Sequence, residues 1–445
     1  MRLRGLMVAG VVLAALAAGL YFSNKQKSAE AAKPPADASP KILALTESDI
    51  TKIDLKKKGT PETVLERGNA GKWQLTAPNK FLADQDTAGQ LANSAASVAS
   101  DRVVEDKASD LSNYGLKSPS LEVDVTTKNG KTNKLEIGDD TPTNSGAYAM
   151  LAGDPRVFTV ASYVKSGLDK SLNDLRDKRL LTFDQDKLSR VELTAKKQDI
   201  EFGRDKDQWQ IVKPKPLRAD GLQVEELIRK LKDAKMDLTV SDEDAKKAAA
   251  AFASGTPVAT VKTTDASGTQ QLDVRKSKDD YYAKSSAVDG VHKVTADLAT
   301  GLDKGLDDFR NKKLFDFGFT DPNKIEMHDN GKTYSFQKTG EDWFSNGKKL
   351  DGTSVQSFLD KLRDLSASKF IDSATVPAPS IDITVTSNDG KRVEKVLISK
   401  EGADYIAKRE NEPSLYGLDA KTVDELSKAA SDVKPAAAST PAKKK

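Results

Sequence analysis

A tryptophan-containing phrase recurs along the chain, and its spacing restricts the fold more than any other feature. It reads GKWQLTAP at residues 71–78 and DQWQIVKP at residues 207–214. The three tryptophans of the chain, Trp73, Trp209 and Trp343, stand 136 and 134 residues apart (209 − 73 and 343 − 209). We therefore predict three tandem repeats of about 134 residues, each long enough to bury its own hydrophobic core.

Other segments repeat at the same interval. LNDLRDKRLLTFD at 172–184 matches LDDFRNKKLFDFG at 306–318, and VFTVASYVKSGLDK at 157–170 matches VHKVTADLATGLDK at 291–304, both with a shift of 134 residues. A relative of the latter segment, LYGLDAKTVDELSK at 415–428, follows after a further 124 residues. The third copy is therefore shorter than the first two.

Each copy alternates strand-like and helix-like patterns. Short alternating segments open the copies at residues 50, 188 and 323 and suit half-buried strands. A helical pattern follows the tryptophan strand, and later strand-like runs are joined by pairs that favour tight hairpin turns: Asn129-Gly130, Ser267-Gly268 and Asp389-Gly390. A second helix closes each copy. The sequence thus predicts an α+β fold in which each repeat is a mainly antiparallel β-sheet with two helices.

Two residue types occupy matching places in the copies. The tryptophans recur on predicted strands in different surroundings, which favours a core role over a binding role for Trp73, Trp209 and Trp343. An aspartate stands just ahead of each first helix, where its side chain can accept backbone N–H groups as an N-cap; these are Asp84, Asp220 and Asp351.

The repeats and the composition of the remaining segments predict the domain boundaries. The predicted order is a membrane segment at 1–23, a flexible linker at 24–41, repeat domains at 42–184, 185–318 and 319–430, and a disordered Ala/Pro/Lys tail at 431–445.

The N-terminal segment has the composition of a membrane helix. Residues 5–22, GLMVAGVVLAALAAGLYF, carry no charge and would span about 27 Å as a helix. Tyr21 and Phe22 resemble interfacial anchors, whereas Ala15-Leu16-Ala17 resembles a signal-peptide cleavage site. We interpret the segment as an uncleaved single-pass anchor in the cytoplasmic membrane, with the N-terminus cytoplasmic and the bulk of the chain extracytoplasmic (periplasmic). The alternative is cleavage and release into the periplasm.

Small residues recur at four-residue spacing within this segment. Gly10, Ala14 and Ala18 would share one face of a helix, a pattern that lets membrane helices approach closely. This spacing favours a membrane protein partner. The alternative is that an alanine-rich segment produces it without any partner.

The composition excludes several kinds of chemistry. The chain contains no cysteine, so disulfides, thiolate nucleophiles and thiolate zinc sites cannot form. Its 70 basic and 67 acidic residues nearly balance, which gives no field that would attract nucleic acid. The two histidines, His292 and His328, lie in different copies at non-equivalent positions. We therefore predict no catalytic, cofactor-binding or metal-ligating residues, and no nucleic-acid partner.

Basic clusters stand at the ends of the first and second copies. Their members are Arg176, Lys178 and Arg179 in the first, and Arg310, Lys312 and Lys313 in the second. The structural interpretation is that the basic residues complement a helix C-terminus and that the following apolar residues, such as Leu180 and Leu314, join neighbouring domains. The alternative is an anion-binding or partner-binding surface.

Several phrases together resemble a known family. GKWQLTAPNKFLADQDTAGQLANSAASV, NYGLKSPSLEVDV and LRDKRLLTFD are similar to the domain of unknown function 4340 family of membrane-anchored bacterial proteins. The resemblance covers most of residues 42–430, is strongest in the first copy and is partial in the third, which lacks the Tyr-Gly-Leu-x-x-Pro phrase of the first. It implies an extracytoplasmic companion of an ABC-type transport system, and it supplies no catalytic residues that can be carried over to this chain.

These observations lead to one functional expectation and one alternative. The expectation is a non-enzymatic, membrane-anchored extracytoplasmic interaction protein that needs no cofactor and binds a membrane partner, such as a subunit of an ABC-type transporter. The alternative is a protein that binds or processes an acidic glycan of the cell envelope.

Overall fold

The structure, a computed structural model, describes residues 40–239 and 242–437. These residues divide into two compact units, separated in sequence between Lys178 and Arg179. The second unit contains two hydrophobic cores. We therefore distinguish a first domain (40–178), a second domain (179–311) and a third domain (312–437). The predicted membrane segment, with Gly10, Ala14 and Ala18, lies outside the described residues, as does most of the predicted linker.

The first domain is a nine-stranded sheet in the order β5-β4-β3-β2-β8-β9-β10-β11-β7, with β1 and β6 paired separately. Its strands are β1 (Lys41–Ala44), β2 (Ile50–Lys57), β3 (Thr63–Arg67), β4 (Trp73–Ala77), β5 (Phe81–Leu82), β6 (Ser97–Ala99), β7 (Arg102–Glu105), β8 (Leu121–Thr127), β9 (Thr132–Asp140), β10 (Gly146–Leu151) and β11 (Val157–Ala161). Its helices are α1 (Gln85–Ala96), α2 (Ser162–Leu168) and α3 (Leu172–Leu175), with 3-10 turns at Glu47–Asp49 and Leu111–Tyr114.

The second domain is an eight-stranded sheet in the order β15-β14-β13-β12-β16-β17-β18-β19. Its strands are β12 (Arg190–Ala195), β13 (Gln198–Asp205), β14 (Gln208–Lys213), β15 (Leu217–Arg218), β16 (Thr256–Asp265), β17 (Gly268–Ser277), β18 (Asp280–Ser285) and β19 (Val291–Val294). Its helices are α4 (Gly221–Lys232), α5 (Asp242–Ser254), α6 (Ala296–Leu302) and α7 (Leu306–Phe309), with a 3-10 turn at Gln185–Lys187.

The third domain is a nine-stranded sheet in the order β23-β22-β21-β20-β25-β26-β27-β28-β24. Its strands are β20 (Lys324–Asp329), β21 (Lys332–Thr339), β22 (Asp342–Ser345), β23 (Lys348–Lys349), β24 (Lys369–Ile371), β25 (Ile381–Ser387), β26 (Arg392–Glu401), β27 (Asp404–Arg409) and β28 (Leu415–Leu418). Its helices are α8 (Gly352–Asp364) and α9 (Ala420–Ser431).

The three sheets share one plan. In each, the first long strand of the sheet pairs antiparallel with a strand that follows the long helix: β2 with β8, β12 with β16 and β20 with β25. Hairpins extend the sheet on both sides of this central pair. At one such hairpin, Asp389 and Gly390 both have positive φ (51° and 83°), as tight antiparallel connections require. The predicted α+β class with antiparallel sheets is confirmed.

The helices differ from the predicted two per repeat. The closing helix is a single one in the third domain, but in the first domain it is divided into α2 and α3. Ser171 explains the division, because its hydroxyl accepts from Asp174 N (3.2 Å) while the Asp174 carboxylate accepts from Ser171 N (2.8 Å), which begins a new helix. The closing helix of the second domain is likewise divided, into α6 and α7. This domain also has an additional helix, α5, in an alanine-rich segment with high helix propensity.

The residues around the predicted boundaries pack differently from the expectation. Leu180, Leu181 and Phe183 belong to the second core, and Leu314, Phe315 and Phe317 belong to the third. The predicted boundaries at 184 and 318 would assign them to the preceding domain. We call residues 180–183 and 314–317 the entry segments. Each packs with the domain that follows because its backbone pairs with the residues after that domain's long helix. Leu180 N donates to Ala234 O (2.9 Å), and Leu314 N donates to Leu365 O (3.0 Å).

The predicted C-terminal tail is also partly ordered. Ser431 is the last residue of α9, and Pro435 forms a β-bridge with Leu350. Backbone hydrogen bonds therefore extend the third domain beyond residue 431, whereas the sequence predicts disorder from that point. The prediction of a disordered tail rested on composition, which carries no information about pairing with an edge strand far away in the sequence.

The tryptophans and the predicted capping aspartates occupy equivalent places. Only 4–6% of each side chain is exposed at Trp73, Trp209 and Trp343. The carboxylates accept from backbone N–H groups of the first helical turn in each domain: Asp84 from Thr87, Asp220 from Leu222 and Gln223, and Asp351 from Ser354. Each tryptophan strand thus lines the core beside the start of the long helix.

Candidate functional site

The entry segments of the second and third domains make equivalent hydrogen bonds with their own domains, through neutral side chains in the second and charged side chains in the third. We call these two sets of contacts the entry joints. In the second domain, Gln270 accepts a hydrogen bond from Thr182 N (2.8 Å) and donates one to the Thr182 hydroxyl (3.0 Å). Ser285 donates its hydroxyl hydrogen to Leu180 O. The side chains that meet Leu180 and Thr182 in this joint, Ser285 and Gln270, are both neutral.

Charged residues take the same places in the third domain. Glu394 accepts from Asp316 N (2.9 Å), as Gln270 accepts from Thr182 N. Arg409 donates to Leu314 O (2.7 Å), as Ser285 donates to Leu180 O. The strand registers support this equivalence, because Gln270 pairs with Thr263 and Glu394 pairs with Val385 at matching positions of the two central hairpins.

These side chains belong to a larger cluster that we call the charge network. Its members are three guanidinium groups and three carboxylates: Arg218, Arg392, Arg409, Asp316, Glu394 and Glu412. Arg409 is central, with Nη2 3.1 Å from Glu394 Oε1 and Nε 2.8 Å from Glu412 Oε1. Its side chain is only 11% exposed. Because the formal charges balance, no member is left buried without an opposite charge.

Arg218 connects the second domain to this network. Its Nη1 lies 2.5 Å from Asp316 Oδ2 and its Nε lies 2.9 Å from Glu412 Oε1. It also donates to Lys313 O (2.5 Å) and to the Tyr416 hydroxyl (3.2 Å). Burial alone would lower the pKa of Arg218, but Asp316, Tyr416 and Glu412 outweigh it, so the net pKa is raised. The guanidinium therefore remains charged and ties β15 to the third domain.

Tyr416 completes the network as a neutral member. Its hydroxyl donates to Glu412 Oε2 (2.9 Å) and accepts from Arg218. Burial raises the pKa of this hydroxyl, and the nearby Glu412 raises it as well, whereas Arg218 lowers it. The net effect favours the protonated form that donates to the carboxylate.

A polar cleft of about 350 Å³ opens beside the network. Its walls combine the tryptophan hairpin and the start of α4 with network residues; they include Gln208, Gln210, Leu222, Glu225, Asn311 and Arg392. Trp209 also lines it, but its ring is buried and its Nε1 donates to Glu225 (2.8 Å). The Leu222 side chain is 82% exposed at the rim. The cleft can therefore take polar groups and one apolar contact at its mouth.

The arginines that begin the two predicted basic clusters are partly or fully buried. In the first domain, the Arg176 guanidinium lies over the Phe81 ring (4.0 Å), and burial lowers its pKa. Arg310 is 6% exposed, lies 3.5 Å from the Phe370 ring centre and pairs with Asp307 (3.0 Å). Lys178 is half-buried and Arg179 is exposed. Arg176 thus supports packing within the first domain, whereas Arg310 pairs with Asp307 of its own domain and packs on Phe370 of the third.

The lysines of the second cluster interact with the third domain. Lys312 O accepts from Ala367 N (2.9 Å), while its side chain is exposed. Lys313 donates to Arg363 O (3.0 Å) near the C-terminal end of α8 and lies 3.5 Å from Asp364. A cation at a helix C-terminus is favourable. The helix that Lys313 complements is therefore the long helix of the third domain rather than α7, which precedes it in the chain.

Sequence reasoning did not identify the charge network. Four of its members lie on strands, where charged residues usually indicate a solvated sheet face, and Asp316 and Glu412 lie in connecting segments. A comparison of the copies does contain a signal: the third has Asp316, Glu394 and Arg409 where the second has Thr182, Gln270 and Ser285. Three neutral positions changing together to charged ones would have indicated a cluster.

Two further properties concern the described part of the chain alone. Within residues 40–239 and 242–437, no group of three or more His, Cys, Asp or Glu side chains is placed to hold a metal ion. No helix among the same residues is long and apolar enough to cross a membrane.

Comparison with known proteins gives one match. A family model described as Domain of unknown function (DUF4340) matches residues 73–210 and again residues 209–382, which together cover more than half of the chain. No curated protein and no solved structure matches. Each matched segment begins on a tryptophan strand and continues into the following domain, so the family's unit includes the entry segments 180–183 and 314–317. The match is shorter at both ends than the resemblance over residues 42–430.

Proposed function

The chain belongs to the DUF4340 family, and from this premise we propose that it is a non-enzymatic interaction protein, anchored in the cytoplasmic membrane and bearing three tandem copies of one unit outside the cytoplasm. Its partner is a membrane protein, such as a subunit of an ABC-type transport system. No cofactor takes part.

The charge network is the observation that supports this proposal most directly. Its three guanidinium groups contact carboxylates or backbone oxygens within the protein. Arg218 of the second domain makes three such contacts with the third domain and a fourth with the Tyr416 hydroxyl. Charges engaged in this way hold domains together and leave few groups for acid–base work. A supporting framework that presents surfaces to another protein fits this arrangement better than an active site does.

The proposed location rests on the sequence. Residues 5–22 are uncharged, and arginines at positions 2 and 4 favour a cytoplasmic N-terminus. Cleavage near Ala17 remains the alternative, with release of the domains into the periplasm. The N-terminal residue of the mature protein distinguishes the two, because an uncleaved anchor retains residues 5–22.

Crosslinking of the tagged protein at native abundance, followed by membrane solubilisation and affinity recovery, tests the function. We expect a membrane partner to be recovered in a constant ratio. The Gly10→Leu/Ala14→Leu variant should weaken recovery if those residues pack against the partner's helix. Recovery of the protein alone would contradict the proposal.

Binding to an acidic envelope glycan is the alternative function. The side chains of Arg179, Lys312 and Lys313 are exposed, which favours it, whereas Arg310 is buried. Retention of residues 40–437 on isolated cell-wall material at low salt, together with its loss in a Lys312→Glu/Lys313→Glu variant, would support this alternative.

A further inference from the structure

The last segment of the third domain follows the same backbone path as the segment that links the second domain to the third. The N-cap aspartates show this most clearly, because each donates its backbone N–H to an equivalent oxygen. The bonds are Asp84 N to Leu175 O (2.8 Å), Asp220 N to Phe309 O (2.7 Å) and Asp351 N to Lys434 O (2.9 Å). Lys434 thus corresponds to Phe309, the residue just before the link.

A second set of hydrogen bonds extends the equivalence to the edge strands. Asn311 N donates to Arg218 O (3.0 Å), and Ala436 N donates to Lys349 O (2.9 Å). Lys349 therefore stands in the third domain where Arg218 stands in the second. We define the exit edge of the third domain as Lys348, Lys349 and the segment 434–436.

The corresponding edge of the second domain shows what such an edge does. There Arg218 lies within hydrogen-bonding distance of two carboxylates of the next domain, Asp316 and Glu412. The cation and the edge strand together make a docking surface for an acidic protein face. The exit edge of the third domain retains both elements, because Lys349 supplies a cation and β23 supplies the edge.

We propose that the exit edge of the third domain binds a partner protein through carboxylates that this partner presents to Lys348, Lys349 and Lys434. This inference rests on the proposed function and specifies the surface that carries it. All three lysine side chains are exposed, and Lys349 pairs with Asp342 (2.7 Å) at the surface. An incoming carboxylate can join or replace that pair at little cost, since exposed ion pairs are weak.

The charge of the exit edge determines which partner it suits. At the corresponding edge of the second domain the cation meets two carboxylates, Asp316 and Glu412. Three exposed lysines therefore favour the acidic face of another protein as the occupant.

The test compares two charge-reversal variants of the full-length chain. Lys348→Glu/Lys349→Glu alters the exit edge, and Lys400→Glu/Lys408→Glu, on exposed positions of β26 and β27, is the matched control. We measure recovery of the partner that the wild-type chain yields in the membrane experiment. The edge variant should recover about tenfold less, whereas the control should recover the wild-type amount. Equal recovery by both variants overturns the inference while the proposed function stands.

A photo-crosslinking residue in place of Lys348 locates the contact directly. We expect one adduct, whose mass equals that of this chain plus the recovered partner, and less of it at high salt. An adduct with lipid alone, a dimer of this chain or no adduct overturns the inference. If wild type yields no partner, the proposed function fails first, which separates the two outcomes.

Discussion

The entry joints of the second and third domains solve the same problem with different side chains. Both must satisfy a backbone N–H and a backbone carbonyl of the entering segment. The second domain does so with Gln270 and Ser285, and the third with Glu394 and Arg409. The difference has a consequence outside the joint, because the third domain's charges also bind Arg218. The charged joint of the third domain thus also holds the second domain.

Removing the central guanidinium should have the largest effect. Arg409→Met leaves Glu394 and Glu412 without their closest cation in a poorly exposed site, so we expect the third domain to lose about 3–5 kcal/mol of stability. Hydrogen exchange of β26 and β27, measured by mass spectrometry with increasing urea, reports this domain separately. The matched change in the second domain, Ser285→Ala, should cost about 1 kcal/mol. Equal costs at both sites would contradict the distinction between the joints.

Arg218→Leu should separate the second and third domains. Leucine is the residue that the first domain carries at the equivalent edge position, Leu82. We expect a loss of about 2–3 kcal/mol, because Asp316 and Glu412 lose a cation that lies largely buried between two domains. Urea unfolding should resolve separate transitions for the two domains. A single transition at the wild-type midpoint would show that Arg218 does not couple them.

A double-mutant cycle should reveal the balance of charge. Adding Glu394→Gln to Arg409→Met removes one charge of each sign and gives the third domain the glutamine that the second already has. We expect the double variant to be more stable than Arg409→Met alone, with a coupling energy of about 1–3 kcal/mol. Strictly additive costs would mean that Arg409 and Glu394 act independently despite their 3.1 Å contact.

Tyr416→Phe should have the smallest effect and should depend on pH. Loss of the hydroxyl removes its hydrogen bonds with Glu412 and Arg218, at a cost of about 1 kcal/mol near neutral pH. Because burial raises the pKa of Tyr416, its stabilising effect is fully present below about pH 10 and is lost as the pH rises further. The phenylalanine variant should therefore lose less stability than wild type above that pH. Parallel stability profiles of the two proteins would contradict this role for the hydroxyl.

The predictions about individual helices, strands and turns rested on local sequence patterns. An aspartate ahead of a helical pattern caps that helix because the bond spans two or three residues, as from Ser354 N to Asp351. The spacing of the tryptophans indicated repetition, and the alternating strands with tight turns indicated antiparallel sheets. Boundaries were less accurate, because residues such as Leu180 pack with the domain that follows them.

The sequence alone determined that this chain is a series of α+β units with antiparallel sheets, because periodicity, turns and caps depend on neighbours along the chain. Only the tertiary structure decided which charges meet. Arg218 is 98 residues from Asp316 and 198 from Tyr416, and strand register with domain packing brings them together. The same applies to the exit edge, where Lys349 becomes the counterpart of Arg218 only through the backbone bonds that it shares with residues 434–436. Charged residues on strands read as a solvated face until the packing shows what lies opposite.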